Sequence, residues 1–217
     1  MKYKFLRLVE NNIKSYNGNK KWEVGKWYKE EKLDMCNKGF HCSNKILDAM
    51  GYVQGEILAE VETRGNFDSQ YNKEVWQEMR ITKAYKWIKK DSVALAIFSA
   101  ELVIKNYKKE YPDDDRPRKA IEAAKKVLKN DNEENRSAAK LVARSVESAA
   151  EAAWLVKSAA QSAAWTATWT AAWSAAQQSA QSAAWLAAWL VKSVAEKINK
   201  KIEKWLVSHI KELEVEE

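Results

Sequence analysis

In the stretch Glu56-Ile57-Leu58-Ala59-Glu60-Val61-Glu62, three apolar residues (Ile57, Ala59 and Val61) alternate against three glutamates. A two-residue period belongs to a β-strand with one face on a core and the other in water. Working outward, Tyr3 to Val9 alternates and carries β-formers, Trp22 to Val24 reads as a short strand closed by Gly25, and Trp76 to Ile81 reads as a further strand. All six glycines (18, 25, 39, 51, 55 and 65) fall in the first third of the chain, so turns are concentrated there. Ser43 to Met50 reads as a short helix capped by Ser43 or Asn44. Residues 1–90 are therefore expected to form a small mixed α/β module, and the chain as a whole to be α+β.

Helical periodicity then takes over. Asp91 or Ser92 is placed to cap a run through Tyr107 whose apolar residues cover most of its circumference, the pattern of a central helix. In YPDDDRPRKAIEAAKKVLKN, Pro112 breaks the chain and Pro117 stands in the first turn of a new helix, where a missing N–H costs nothing. Asp113, Asp114 and Asp115 lie at the positive end of that helix, which gives them a structural role. Residues 91–130 read as a connecting helical hairpin.

Residues 131–217 are expected to be a long, all-helical region rich in Ala and Trp. Its centre, SAAQSAAWTATWTAAWSAAQQSAQSAAWLAAWLV over 158–191, runs 34 residues without a charge. Ala favours helix, and the four-residue cadence sets Trp165, Trp169, Trp173, Trp185 and Trp189 at helical spacing. At about 100° per residue the first three share a face that Trp185 and Trp189 do not. Either the chain turns back near Gln177 and Gln178, or one long helix winds its indoles past several partners. So many indoles need cover, which points to a homo-oligomer. These five residues are the candidate interface, and the alternative is a slot in which they stack a base. The segment from Ser193 is an amphipathic helix with His209 near its apolar face.

A net charge of +7 would favour anionic partners, but 37 Lys and Arg are interleaved with 30 Asp and Glu rather than clustered, which argues against nucleic acid. Ser, Thr and Gln interrupt the uncharged stretch too often for a membrane span, and it lacks the cations of a surface-lying helix. Cys36, His41 and Cys42 are too few and too close for structural zinc, so no metal is expected, and the cysteines read as reduced, buried thiols of a cytoplasmic protein.

Two resemblances follow from longer motifs. KWEVGKWY, CNKGFHCSNKILDAMGYV, GEILAEVETRG and VWQEMRI together resemble a family of uncharacterised phage and prophage proteins. DSVALAIFSAELV with YPDDDRPRKAIEAAKKVL and the Ala-rich tail is similar to proteins described as immunity-protein-like. These imply a viral or mobile-element origin and a bacterial host. A fainter resemblance lies in the order of elements: a strand bearing Arg7, the VGK turn, GFHCS, a helix, GEILAEVE and VWQEMRI look like the order in ADP-ribosyltransferases. That resemblance implies NAD as cofactor and Arg7, Ser43 and Glu78 as the catalytic set, although His41 and Cys42 replace the usual serine-strand signature.

Nucleophile-elbow, phosphate-loop, dinucleotide and paired-histidine motifs are all missing from the sequence, and it holds two histidines. The expectation is a non-enzymatic binding protein, with no cofactor, that neutralises a host component such as a defence protein or a small nucleotide signal. The alternatives are the NAD-using transferase and a purely structural, oligomerising protein.

Overall fold

A computed structural model describes residues 1–35, 37–53, 55–141, 192–213 and 215–216. The chain divides into two compact units, Met1–Ile88 with Glu203–Glu217, and Lys89–Ile202.

The first unit is built on two long strands, β6 (Ile57–Gln70) and β7 (Lys73–Lys86), paired antiparallel through a two-residue turn at Tyr71 and Asn72. Five short strands precede them: β1 (Lys2–Val9), β2 (Asn12–Lys14), β3 (Lys21–Trp22), β4 (Tyr28–Lys29) and β5 (Phe40–Cys42). β8 (Val215–Glu216) comes from the far end of the chain. The sheet runs β3-β2-β1-β6-β7-β4, and β5 and β8 also pair with β7. One edge of β7 is thus filled by β6, and the other by four segments in succession. These are β5 at 74–76, β4 at 78–79, Val24 at Ile81 and β8 at 84–85.

Curvature comes from irregular positions. Glu10 and Asn11 both take positive φ, making the tight β1–β2 hairpin. β6 slips register between Glu60 and Val61 and between Arg64 and Phe67, and Gly65 lies inside the second slip with φ +81°. The sheet curls into a half-barrel, and two isolated bridges, Tyr3 to Ser43 and Val24 to Ile81, tie its ends together. At Gly55 a Cβ would stand 2.0 Å from the Leu6 carbonyl oxygen, so only glycine lets the chain pass β1 there.

The concave face is filled by Leu6, Ile13, Ile57, Ala59, Val61, Met79 and Ile81. The opposite face is also covered. Helix α1 (Ile46–Met50) packs on β1, Phe5 meets Trp87 edge-on at 5.9 Å, and Trp87 meets His209 at 5.9 Å. Glu60, one of the three glutamates expected to face water, is consequently buried and accepts a hydrogen bond from the Tyr85 hydroxyl at 3.2 Å.

The second unit contains α2 (Lys89–Glu110), α3 (Arg116–Lys129), α4 (133–141) and the first part of α5 (Lys192–His209). Val93, Ile97, Ala100, Ile121, Ala124 and Val127 form its core, with Ala139 beside them. Asp114 fastens the hairpin: its carboxylate accepts two bonds from the Arg116 guanidinium, at 2.8 and 2.7 Å, one from the Arg116 backbone and one from the Tyr107 hydroxyl.

The expected fold class, a mixed α/β module followed by an all-helical region, is corrected on both counts. The first module is an antiparallel half-barrel with five residues of helix, and beyond α5 the chain returns to strand. The physical reason is an unpaired edge: the backbone groups of Ala84 and Tyr85 are met by β8, a two-residue strand too short to show any period. Trp165, Trp169, Trp173, Trp185 and Trp189 lie outside the described residues. No helix of the described residues is long and apolar enough to cross a membrane.

Candidate functional site

Alternation along β1 sends Tyr3 and Phe5 to the outer face and Lys4 and Leu6 to the concave one. Lys4 is therefore a cation placed on an apolar surface. It lines a cavity of about 540 Å³ between the loop that joins β2 to β3 and the segment that joins β4 to β5. That volume suits a metabolite-sized ligand.

The cavity has an aromatic wall. Trp22 and Phe40 are both buried, with ring centres 5.2 Å apart and planes at 70°, and Tyr28 meets Trp22 edge-on at 4.9 Å. The indole N–H of Trp22 donates to Ser15 Oγ at 2.9 Å, which fixes the ring. Gly39 allows this packing: at φ +104° it brings Phe40 onto β7, where a Cβ at position 39 would lie 2.5 Å from Val75 Cγ2.

Charge is arranged in two layers. Deep in the site the Lys4 ammonium donates to the backbone oxygen of His41 at 2.9 Å and lies 6.0 Å from the Trp22 ring. No carboxylate among the described residues pairs with it. Burial is the larger influence and pushes Lys4 down from the ordinary lysine range to about 8. Nearer the mouth, Lys20 pairs with Glu30 at 2.9 Å and stands 4.4 Å over the Phe40 ring. Lys29, Lys32 and Lys38 add positive charge against Glu30 and Glu31. The balance is cationic, five lysines against two glutamates.

The adjacent groups are quiet near neutral pH. Burial, with Lys4 and Lys73 nearby, lowers the His41 imidazole to about 4, so it is neutral. Burial raises the Cys42 thiol to about 12, leaving it without thiolate character. Cys36 lies outside the described residues.

The three residues suggested by the transferase resemblance are held in separate places. The Arg7 guanidinium donates to the backbone oxygens of Ser15 and Gly18, both at 3.2 Å. Ser43 is buried and exchanges two backbone bonds with Tyr3. Glu78 pairs with Arg64 at 2.6 Å and faces Lys29 at 3.8 Å. None of the three bonds to another.

Sequence reasoning did not single out Lys4, Lys20, Trp22 or Phe40. One signal was present: in Lys2-Tyr3-Lys4-Phe5-Leu6, a lysine occupies a position in phase with Leu6. The pairing that turns this phase inward is made with β6, more than fifty residues away.

Residues 3–90 match a family model described as Domain of unknown function (DUF7666). No curated protein and no solved structure matches the chain. The matched segment contains every strand that lines the cavity, and in sequence this part of the chain resembles that domain family.

Proposed function

We propose that the half-barrel binds a small anionic ligand carrying a planar ring, a nucleotide or a metabolite of that class, and that the protein acts by holding it. The observation that carries this reading is the Lys4 ammonium, inside an aromatic-walled cavity and satisfied by one backbone oxygen. A half-buried cation without a counter-ion is costly, and an anionic ligand supplies the missing charge. The indole and phenyl walls suit a flat ring, and the outer lysines suit phosphate oxygens. The motif resemblance to phage-borne proteins supports placing the ligand in the cytoplasm of a bacterial host, where sequestering a nucleotide signal would neutralise a defence response. The uncharged Ala/Trp stretch supports assembly into a homo-oligomer.

Calorimetric titration of the full chain with AMP, a cyclic dinucleotide and NAD, with ribose as a neutral control, tests this reading. At least one nucleotide should bind and ribose should not, and Lys4→Met should weaken binding tenfold or more. No heat with any of the three nucleotides would refute it. NAD belongs to the same chemical class, and release of nicotinamide during its titration would turn the reading toward the transferase, with Arg7, Ser43 and Glu78 as the residues to replace next.

A further inference from the structure

The cavity offers Lys4 more than a counter-charge. Its ammonium has three N–H bonds, and His41 O is the acceptor for one of them. Among the described residues no other acceptor stands within hydrogen-bond distance of it, so the remaining N–H directions are left to whatever occupies the cavity. Lysines on the surface are numerous here, but their ammonium groups stand in water, whose hydrogen bonds compete with any ligand. Lys4 differs, since it lies 6.0 Å from the Trp22 ring inside the cavity and burial pushes it down to about 8. A lysine desolvated against apolar walls is the environment in which amines become nucleophiles. The outer lysines Lys20, Lys32 and Lys38 then provide a place for a phosphate on the same ligand.

From this geometry we infer that Lys4 is a nucleophile that captures small phosphorylated aldehydes as an imine. This rests on the reading of the cavity as an anion site and names a reactive subset of its ligands. The neutral amine nitrogen of Lys4 attacks the aldehyde carbon. A C–N bond forms, the carbonyl π pair moves to oxygen, and a proton passes from nitrogen to that oxygen to give a carbinolamine. The C–O bond then breaks, the hydroxyl leaves with a proton as water, and the nitrogen lone pair closes the C=N bond. Amine and aldehyde give imine and water, and nothing is oxidised or reduced. The product can be protonated, so the cationic character of the site is kept.

The experiment is reductive trapping on the full chain. Equimolar pyridoxal 5′-phosphate serves as the probe, borohydride reduces any imine, and peptide mapping by mass spectrometry assigns the label. Lys4 should carry at least tenfold more label than the exposed Lys21, Lys29 or Lys32, and pyridoxal without the phosphate should label Lys4 at least fivefold less. Prior addition of AMP should protect Lys4 in proportion to its occupancy. Lys4→Arg should abolish the dominant labelled peptide. An even spread of label over the lysines overturns the inference, as does equal labelling by pyridoxal with and without phosphate. Nucleotide binding that persists beside an even spread of label removes the covalent step alone. Loss of nucleotide binding in the unmodified protein removes the anion-site reading itself.

Discussion

The Glu203 carboxylate accepts the backbone N–H of Ile46 at 2.8 Å, closing a contact across 157 residues of chain. Its second oxygen accepts the Leu47 N–H at 3.0 Å. Helix α1 begins at Ile46, after Lys45, with no side-chain cap of its own, so a residue of α5 does what Ser43 or Asn44 was expected to do locally. Burial pushes the Glu203 carboxyl up, and the two amide bonds hold it down.

Replacing Glu203 should therefore act through α1. Glu203→Ala leaves two N–H groups at a helix start unsatisfied and is expected to cost about 1–2 kcal/mol. Glu203→Gln keeps an acceptor and removes a buried charge, and should cost less than half as much. Urea unfolding of the two variants checks the order, and an equal loss would show that packing rather than capping is what Glu203 supplies.

Lys4 is expected to trade stability for binding. Its folded pKa of about 8 lies below that of an unfolded lysine, so the cost of burying its charge is full below pH 8 and fades as pH rises from there through the unfolded value. Lys4→Met should raise stability by about 1–3 kcal/mol at pH 7, with the gain shrinking toward pH 10. Thermal melts across that range test it. A Lys4→Met protein less stable at pH 7 would mean the ammonium is better compensated than its single bond implies.

For the same reason nucleotide affinity should fall above pH 8, where Lys4 gives up its proton. Titrations at pH 7 and pH 9.3 separate the two sources of positive charge, and an unchanged affinity at the higher pH would assign the anion to the outer lysines.

Asp114 should govern acid stability of the helical hairpin. Hydrogen bonds from Arg116 are the largest cause of its strongly lowered pKa, so the stability it contributes is present above the ordinary aspartate range and lost as pH falls below it. Asp114→Asn is expected to cost about 1–3 kcal/mol at pH 7 and less than half as much at pH 2. A loss of equal size at both values would assign the effect to shape rather than to charge.

The indoles of the Ala/Trp stretch carry their own test. If Trp169 and Trp173 fill a packed interface, replacing either by Ala should lower stability by about 3–5 kcal/mol. Light scattering of the parent should report more than one subunit. A monomer at micromolar concentration, or two variants with unchanged melting, would contradict assembly through this stretch.

Several strands and the start of α3 were legible because each carries a local signal. The two-residue period in 57–61 and in β1 marked strands, and Pro117 after the aspartates marked the start of α3. The lengths of β6 and β7 were not legible. The outer half of β6, from Thr63 to Gln70, is mostly exposed and lacks the alternation that identified its inner half, and of the fourteen residues of β7 the sequence marked only Trp76 to Ile81.

Local chemistry alone determined several of the places where this chain turns, alternates and becomes helical, because φ preferences and side-chain period act over a few residues. Tertiary structure decided the rest. That Lys4 faces a cavity follows from its pairing with β6, that α1 is capped follows from Glu203, and that β7 is complete at Ala84 and Tyr85 follows from Val215 and Glu216. Each joins residues far apart in the chain, and a lysine, a glutamate or a two-residue strand has the same local propensities whether or not its distant partner exists. Burial and pairing belong to the pair, so the site became visible only when the chain had folded.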